Sequence, residues 1–316
     1  MRTQSMGRAV VVGIDESAHS VAALRWAARE AETSGSPLVI VHAYEWELPT
    51  RMLEGGYYFP LRDAGVEEVS QSDFERFARE LVANANDVVT ETSAHLSVMT
   101  RIVEGPAVDV LNAEAKDASM LVLGSHGRGL LGRMLLGSVS SAIAAEPPCP
   151  IVVVRSEAAP AHVGRHLPVV VGVDGTPVSS AAAAYAAAHA ARQGSPLRIV
   201  HVHREAANGG NVESEWLREL VLSVEKQYPG LEAAGSLISG RPVQALVELS
   251  SESELVVVGA QRGRGGSVAR GLLHHAWSSV AVVPQHSWST PAAKSNSERK
   301  RPSRPVRARL DGTGND

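Results

Sequence analysis

The chain has 316 residues, 44% hydrophobic and 20% charged, with a formal net charge of −4 and one cysteine. This length and apolar content suit two ordinary domains with two cores. The lone Cys149 excludes an intrachain disulfide and a cysteine-rich metal site, no apolar run approaches the roughly 20 residues that span a bilayer, and the first residues lack a signal-peptide order, so a cytoplasmic location is expected.

The first predicted strand, Ala9-Val10-Val11-Val12-Gly13, runs into Ile14-Asp15 and is followed by an alanine-rich helical stretch, Ser20–Glu32. A second strand lies within Gly35–His42. The segment around Glu45–Gln71 contains Trp46, Gly55-Gly56, Tyr57, Tyr58 and Phe59, which form either an aromatic flap over a ligand or a packed surface loop. Further on, the apolar run Met120-Leu121-Val122-Leu123 leads into Gly124-Ser125-His126-Gly127-Arg128-Gly129 and then Gly137-Ser138-Val139-Ser140, a helix-like segment. Cys149, in Pro147-Pro148-Cys149-Pro150, precedes the strand Ile151–Val154 and reads as a small buried filler. A linker rich in Ala, Pro and Gly, Ser156–Arg165, follows.

The pattern then repeats. Pro168-Val169-Val170-Val171-Gly172-Val173-Asp174 matches Ala9–Asp15 at an offset of 159, and Gly194–His201 matches Gly35–His42 at the same offset. The offset falls to 135 for Gly105 and Gly240 and for Gly124 and Gly259, so the second half lacks 24 residues between its second and third strands. It falls again to 129 for Ser138-Val139 and Ser267-Val268, so six more are missing from the glycine loop itself. Beyond the repeat, residues 292–316 hold seven Lys/Arg against three Asp/Glu, leaving about −8 on the folded part, which is not expected to attract nucleic acid. The tail is polar, basic and proline-containing, and disorder is its expected state.

Each half reads as β-α-β-α-β-α-β-α-β. Its strands are continuous apolar runs, which argues for strands covered on both faces and hence two tandem, doubly wound, parallel five-stranded sheets of Rossmann-like α/β class. Ligands in such sheets sit beyond the strand C-termini where strand order reverses. If the first and fourth strands are neighbours there, Asp15 and the glycine loop face one crevice. Glycines let backbone N–H groups close on an anion, and Ser138 and Ser140 add hydroxyls at a helix N-terminus, so a polyphosphate is the expected ligand. Gly127-Arg128-Gly129-Leu130-Leu131-Gly132 also spells a dinucleotide fingerprint, but it follows the fourth strand rather than the first and has no acidic residue at the required place. No phosphate-gripping P-loop lysine motif and no Gly-x-Ser-x-Gly turn occurs.

Together these residues resemble the universal stress protein family in its tandem form, over about residues 8 to 284. Gly124, Gly127, Gly137 and Ser138 fit the family's ATP motif without a gap, and Asp15 stands where the family's first-strand aspartate meets the nucleoside. The resemblance implies an adenine nucleotide alpha hydrolase-like fold, with domains at 1–158 and 166–286 and a tail at 287–316. It implies adenine near Val41 with the backbone around Gly13 and Gly105 shaping the pocket, and ribose and phosphates held by Gly127, Arg128, Gly129, Ser138, Val139 and Ser140. His126 is either a phosphate donor or a solvent-facing residue. Asp15 either coordinates nucleotide-bound Mg²⁺ or accepts a ribose or backbone hydrogen bond.

The corresponding second site (Gly172, Asp174, Gly240, Gly259, Arg262, Gly266, Ser267) is expected to be degenerate, since Arg262 replaces a family glycine and only three residues separate it from Gly266. No catalytic residue is expected. The function expected is an ATP-binding stress-response regulator with at most slow hydrolysis; the alternatives are a scaffold with structural nucleotide or an ATP-using enzyme. The last strands, Ile151–Val154 and Val280–Val283, are apolar edges, and the resemblance implies that they pair the halves as an intrachain pseudo-dimer, with homodimerisation and an unidentified protein partner left open.

Overall fold

The computed structural model describes residues 8–45, 71–93, 95–125, 136–155, 167–203, 210–260 and 266–285. The aromatic insertion, most of the glycine loop, the interdomain linker, the shortened second loop and the basic tail lie outside the described residues.

The first half runs β1 (Val10–Gly13), α1 (Ala18–Ser34), β2 (Leu38–Tyr44), α2 (Gln71–Thr92), β3 (Val98–Glu104), α3 (Ala107–Ala115), β4 (Met120–Gly124), α4 (Ser138–Ala145) and β5 (Ile151–Val154). The second repeats it as β6 (Val169–Val173), α5 (Pro177–Gln193), β7 (Leu197–His203), α6 (Gly210–Gln227), β8 (Ala233–Ser239), α7 (Pro242–Ser250), β9 (Leu255–Ala260), α8 (Ser267–His275) and β10 (Ser279–Pro284). This is the alternation that the apolar runs predict.

All ten strands form one sheet in the order β3-β2-β1-β4-β5-β10-β9-β6-β7-β8. Each half is parallel and doubly wound. The two apolar edges expected from the sequence are the seam, where β5 and β10 pair antiparallel with Ile151 opposite Val282, Val152 opposite Ala281 and Val153 opposite Val280. The edges of the sheet are therefore β3 and β8, which are also its more exposed strands.

Strand alternation sends successive side chains to opposite faces. Met120 and Val122 enter one core, with residues of α1, α2, α5 and α6. Leu121 and Leu123 enter the other, with residues of α3, α4, α7 and α8. Both cores run through the seam, so the halves are one packed body on each face. Cys149 is buried in the second core, and burial pushes its thiol up to about 12, which makes it inert filler.

The helices touching the seam begin and end on local signals. The Ser17 hydroxyl accepts the Ser20 N–H at the start of α1, and Thr176 does the same for Ser179 ahead of Pro177 in α5. Alanines from Ala181 to Ala190 let α5 lie close on the sheet with Tyr185 fully buried among them. No helix among the described residues is long and apolar enough to cross a membrane.

Ile151 is fully buried at the seam. Ile151→Ala is expected to cost about 2–5 kcal/mol through lost contacts and the cavity left behind. Because the cores are continuous, urea unfolding of this variant should remain a single transition at lower midpoint, and two separated transitions would contradict the fused core.

Candidate functional site

β1 lies between β2 and β4, so strand order reverses between β1 and β4, and their C-terminal ends bound a crevice. The helices that follow these two strands pack on opposite faces, α1 in one core and α4 in the other, so their N-termini flank that crevice.

Both strand ends are crowded, Gly13 by leucine methyls that can shift and Gly124 by main chain that cannot. A Cβ on Gly13 would stand 2.9 Å from Leu123 Cδ2 and 3.0 Å from Leu111 Cδ2, and one on Gly124 would stand 2.8 Å from the main-chain carbon of His19. The second half repeats both constraints, with Leu246 against Gly172 and Val178 against Gly259. Gly105 and Gly240 have φ of 138° and 143°, a region L side chains rarely adopt, and their N–H groups donate to the carbonyls of Tyr44 and His203.

Asp15 is half-buried at the mouth. Its Oδ1 accepts from the Ser17 amide at 2.9 Å and the Ser17 hydroxyl at 2.5 Å, and its carbonyl accepts from the Ser20 hydroxyl at 2.5 Å. Asp15 thus organises the entry to α1. Asp174 repeats this with Thr176; burial acts to raise its pKa, but the Thr176 and Ser179 donors outweigh burial and hold it below the usual value.

Val41 is fully buried, with its side chain in the core and its carbonyl accepting the Ile14 N–H at 2.9 Å. Its side chain therefore does not line the crevice, and only its main chain reaches the strand end there. Beside it is a residue the motif reading did not single out. His42 is buried with Nδ1 3.0 Å from the Ile14 carbonyl, so Nδ1 carries the proton and donates. His201 does the same to Val173 at 2.8 Å. The available signal was the recurrence of histidine at both places in the repeat, and the clamp fixes the peptide next to Asp15.

Across the crevice, the Gly137 N–H donates to the Ser125 carbonyl and the Ser125 N–H to the Val154 carbonyl, both at 2.9 Å. These bonds close the neck of the glycine loop, whose His126, Gly127, Arg128 and Gly129 lie outside the described residues. The helix beyond, α4, has Gly137 at its N-cap and no side-chain cap, unlike α1. Its first-turn amides, Ser138, Val139 and Ser140, have no intrahelical acceptor. Ser138 is exposed, Val139 half-buried and Ser140 buried, with the Ser140 hydroxyl donating to the Gly124 carbonyl at 2.8 Å. That hydroxyl proton secures the strand end, so any anion contact at Ser140 comes from its main chain.

In the second half, Gly172, Asp174, Gly240 and Gly259 occupy the equivalent places, and α8 opens at Gly266-Ser267, also without a side-chain cap. Arg262 lies outside the described residues. One wall differs. In the first half, Ile14, Asp15, Val21, Leu24, Leu81 and Asn84 line an apolar cleft of about 90 Å³ between α1 and α2. Trp216 of α6 takes the place of Leu81 at the offset of 135, lying edge-on to His201 at 5.7 Å and 3.9 Å from where a Gly175 Cβ would stand.

The sequence model of the universal stress protein family matches residues 6–155 and 167–284. A universal stress protein of Mycobacterium tuberculosis is 35% identical over 296 residues, which is 87% of this chain and 97% of that protein. One from Mycolicibacterium smegmatis is 33% identical over 267 residues, covering 81% and 88%. Among solved structures, a universal stress protein from Archaeoglobus fulgidus matches 88% of this chain and 96% of its own at a TM-score of 0.66 and 18% identity, a likeness of fold.

His42→Leu removes the donor to the Ile14 carbonyl while keeping the volume apolar. An unsatisfied buried acceptor is expected to cost about 1–3 kcal/mol, read from the urea midpoint. An unchanged midpoint would show that the clamp does not hold the strand end.

Proposed function

The chain belongs to the universal stress protein family, and we propose that within it this protein is an ATP-binding regulator whose first half holds the nucleotide. The observation that carries this reading is the uncapped N-terminus of α4 at the reversal of strand order, one hydrogen bond from Gly124 and opposite Asp15. An anion there supplies the acceptors that α1 obtains from a side chain, and the helix dipole favours its charge. Amides of Ser138 to Ser140, with Gly127 to Gly129 from the loop, would hold phosphates. Asp15 would accept from ribose, and the strand ends at Gly13, Val41 and Gly105 would border the base.

The proposed role is binding rather than catalysis. Phosphoryl transfer needs positioned cations and an oriented nucleophile, and the loop sequence offers only His126, Arg128 and Arg133. Hydrolysis, where it occurs, is then slow and incidental, and the nucleotide acts by favouring the conformation or partner complex that grips it better. Two differences disfavour an equal site in the second half: a loop six residues shorter, and Trp216 packed against His201.

Calorimetry on nucleotide-stripped protein with ATP and Mg²⁺ is expected to give one site per chain, weakened by Asp15→Ala and Gly127→Ala and unchanged by Arg262→Ala. Saturation at 100 times Kd should add about 2.7 kcal/mol to folding stability. No heat at millimolar ATP refutes the reading, and two equal sites refute the asymmetry. If Asp15→Ala changes partner recovery without changing stability, nucleotide is regulatory; the reverse outcome makes it structural.

A further inference from the structure

Where α1 meets α5, each half presents equivalent residues to the other. The offset of 159 relates Trp26 to Tyr185 and Glu30 to His189. At the seam, Val152 faces Ala281, its own equivalent at the offset of 129. These coincidences define a pseudo-twofold axis, on which a residue meets its counterpart from the other half.

The counterparts on this axis are not alike. Glu30 and His189 are each 1% exposed, with Glu30 Oε2 3.0 Å from His189 Nδ1 in a contact bent away from a straight hydrogen bond. Nε2 faces Glu254 Oε1 at 3.9 Å, and the imidazole stacks on Trp26 of α1 at 5.7 Å and on Tyr185 of its own helix at 6.3 Å. Arg192 and Gln193 of α5 donate to Glu30 at 2.6 and 3.0 Å, and Ser195 donates to Glu254 at 2.9 Å. Arg29 of α1 adds positive charge near Glu254.

Burial alone lowers the pKa of His189, but Glu254 and Glu30 outweigh it and hold the ring above its ordinary 6.5. Burial likewise raises Glu30, and His189 and Arg192 outweigh it and hold the carboxyl below its ordinary 4.5. The charged forms of both are favoured.

We propose that Glu30 and His189 form a pairing code on the pseudo-twofold axis, which makes the first half complementary to the second and repulsive to another copy of itself. Two first halves meeting through this surface would bury carboxylate against carboxylate; two second halves would set imidazolium against imidazolium, each eased only by its own Glu254, and would leave two Arg192 side chains without the Glu30 carboxylate they bind. Like charges in a dry site are costly, so the surface accepts the unlike half and the chain closes on itself. Without the code, the apolar β5 and β10 edges would pair with either kind of half, since their backbone geometry is the same.

The test uses the full-length chain and denaturant unfolding. His189→Glu puts two carboxylates on the axis and is expected to lower the folding constant at pH 7 by about two to three orders of magnitude, as an unpaired buried charge does. His189→Gln should cost distinctly less. Adding Glu30→Gln to His189→Glu should recover most of the loss, because the repulsion is removed at its other end and Arg192 becomes available to the new carboxylate.

The pH window separates repulsion from lost packing. Below 6.5 the wild-type ring is protonated folded and unfolded, so the contribution of His189 is fully present and is lost as pH rises through its folded pKa. Between 4.5 and 6.5 the wild-type pair therefore contributes no slope, whereas His189→Glu, with a raised carboxyl pKa, should lose up to about tenfold in folding constant per pH unit there. If His189→Glu does not fold at pH 7, the comparison is made at pH 5, and the coupling of His189→Gln with Glu30→Gln, expected to shrink above 6.5, takes its place. Failure of Glu30→Gln to relieve His189→Glu, equal cost for Glu and Gln at 189, or no difference in slope in that window each overturns the proposal.

Discussion

The antiparallel pairing of β5 with β10 is the contact on which the rest of the architecture depends. It satisfies the backbone of two strands that would otherwise be apolar edges, and it carries both cores across the junction. It also fixes orientation. Strands within each half are parallel, so an antiparallel seam points the C-terminal ends of the two halves in opposite directions. The crevice at β1 and β4 and its counterpart at β6 and β9 therefore open at opposite ends of one sheet. Among the described residues neither lends side chains to the other, and each is judged on its own strand ends and loops.

Judged in that way, the halves are the same scaffold with different endings. The glycines that admit Leu111 and His19 in the first half admit Leu246 and Val178 in the second, and both histidine clamps are present. These features position the strand ends and say nothing about occupancy. Difference begins where the chain leaves the strands, in the length of the loop before α4 or α8 and in the exchange of Leu81 for Trp216. A parallel sheet keeps its ligand chemistry in such connections, so one half can change its loop without disturbing the shared core.

The repeat made most of the fold legible. Continuous runs such as Leu121–Leu123 marked strands covered on both faces, and the shifting offsets located the deletions. The same pattern placed Asp15 and Gly124 at a common crevice, because topology alone brings the ends of β1 and β4 together. Contacts that depend on three-dimensional neighbours were not legible. Gly13 was read for what its backbone offers a ligand, whereas its immediate constraint is the side chains of Leu111 and Leu123. Ser140 was read as a phosphate donor, while its hydroxyl proton goes to Gly124. Glu30 sits in an alanine-rich helix where a carboxylate normally reads as solvent-facing, and only the second half's approach buries it.

That burial constrains what Glu30 and His189 are for. An ion pair taken out of water loses hydration that its attraction repays only in good geometry, and apolar residues of similar volume often do as well or better. Here the geometry is imperfect, with a bent contact on one ring nitrogen and 3.9 Å on the other, yet Trp26 and Tyr185 already supply aromatic packing around the ring. A phenylalanine at 189 would keep that stack without the desolvation cost. The polar pair is thus poorly explained as a stabiliser and better explained as discrimination, because apolar surfaces attract like and unlike halves equally and opposite charges do not. A chain built from two similar halves has that choice to make at its seam, and the axis, where every residue must face its own counterpart, is the position at which one substitution decides it.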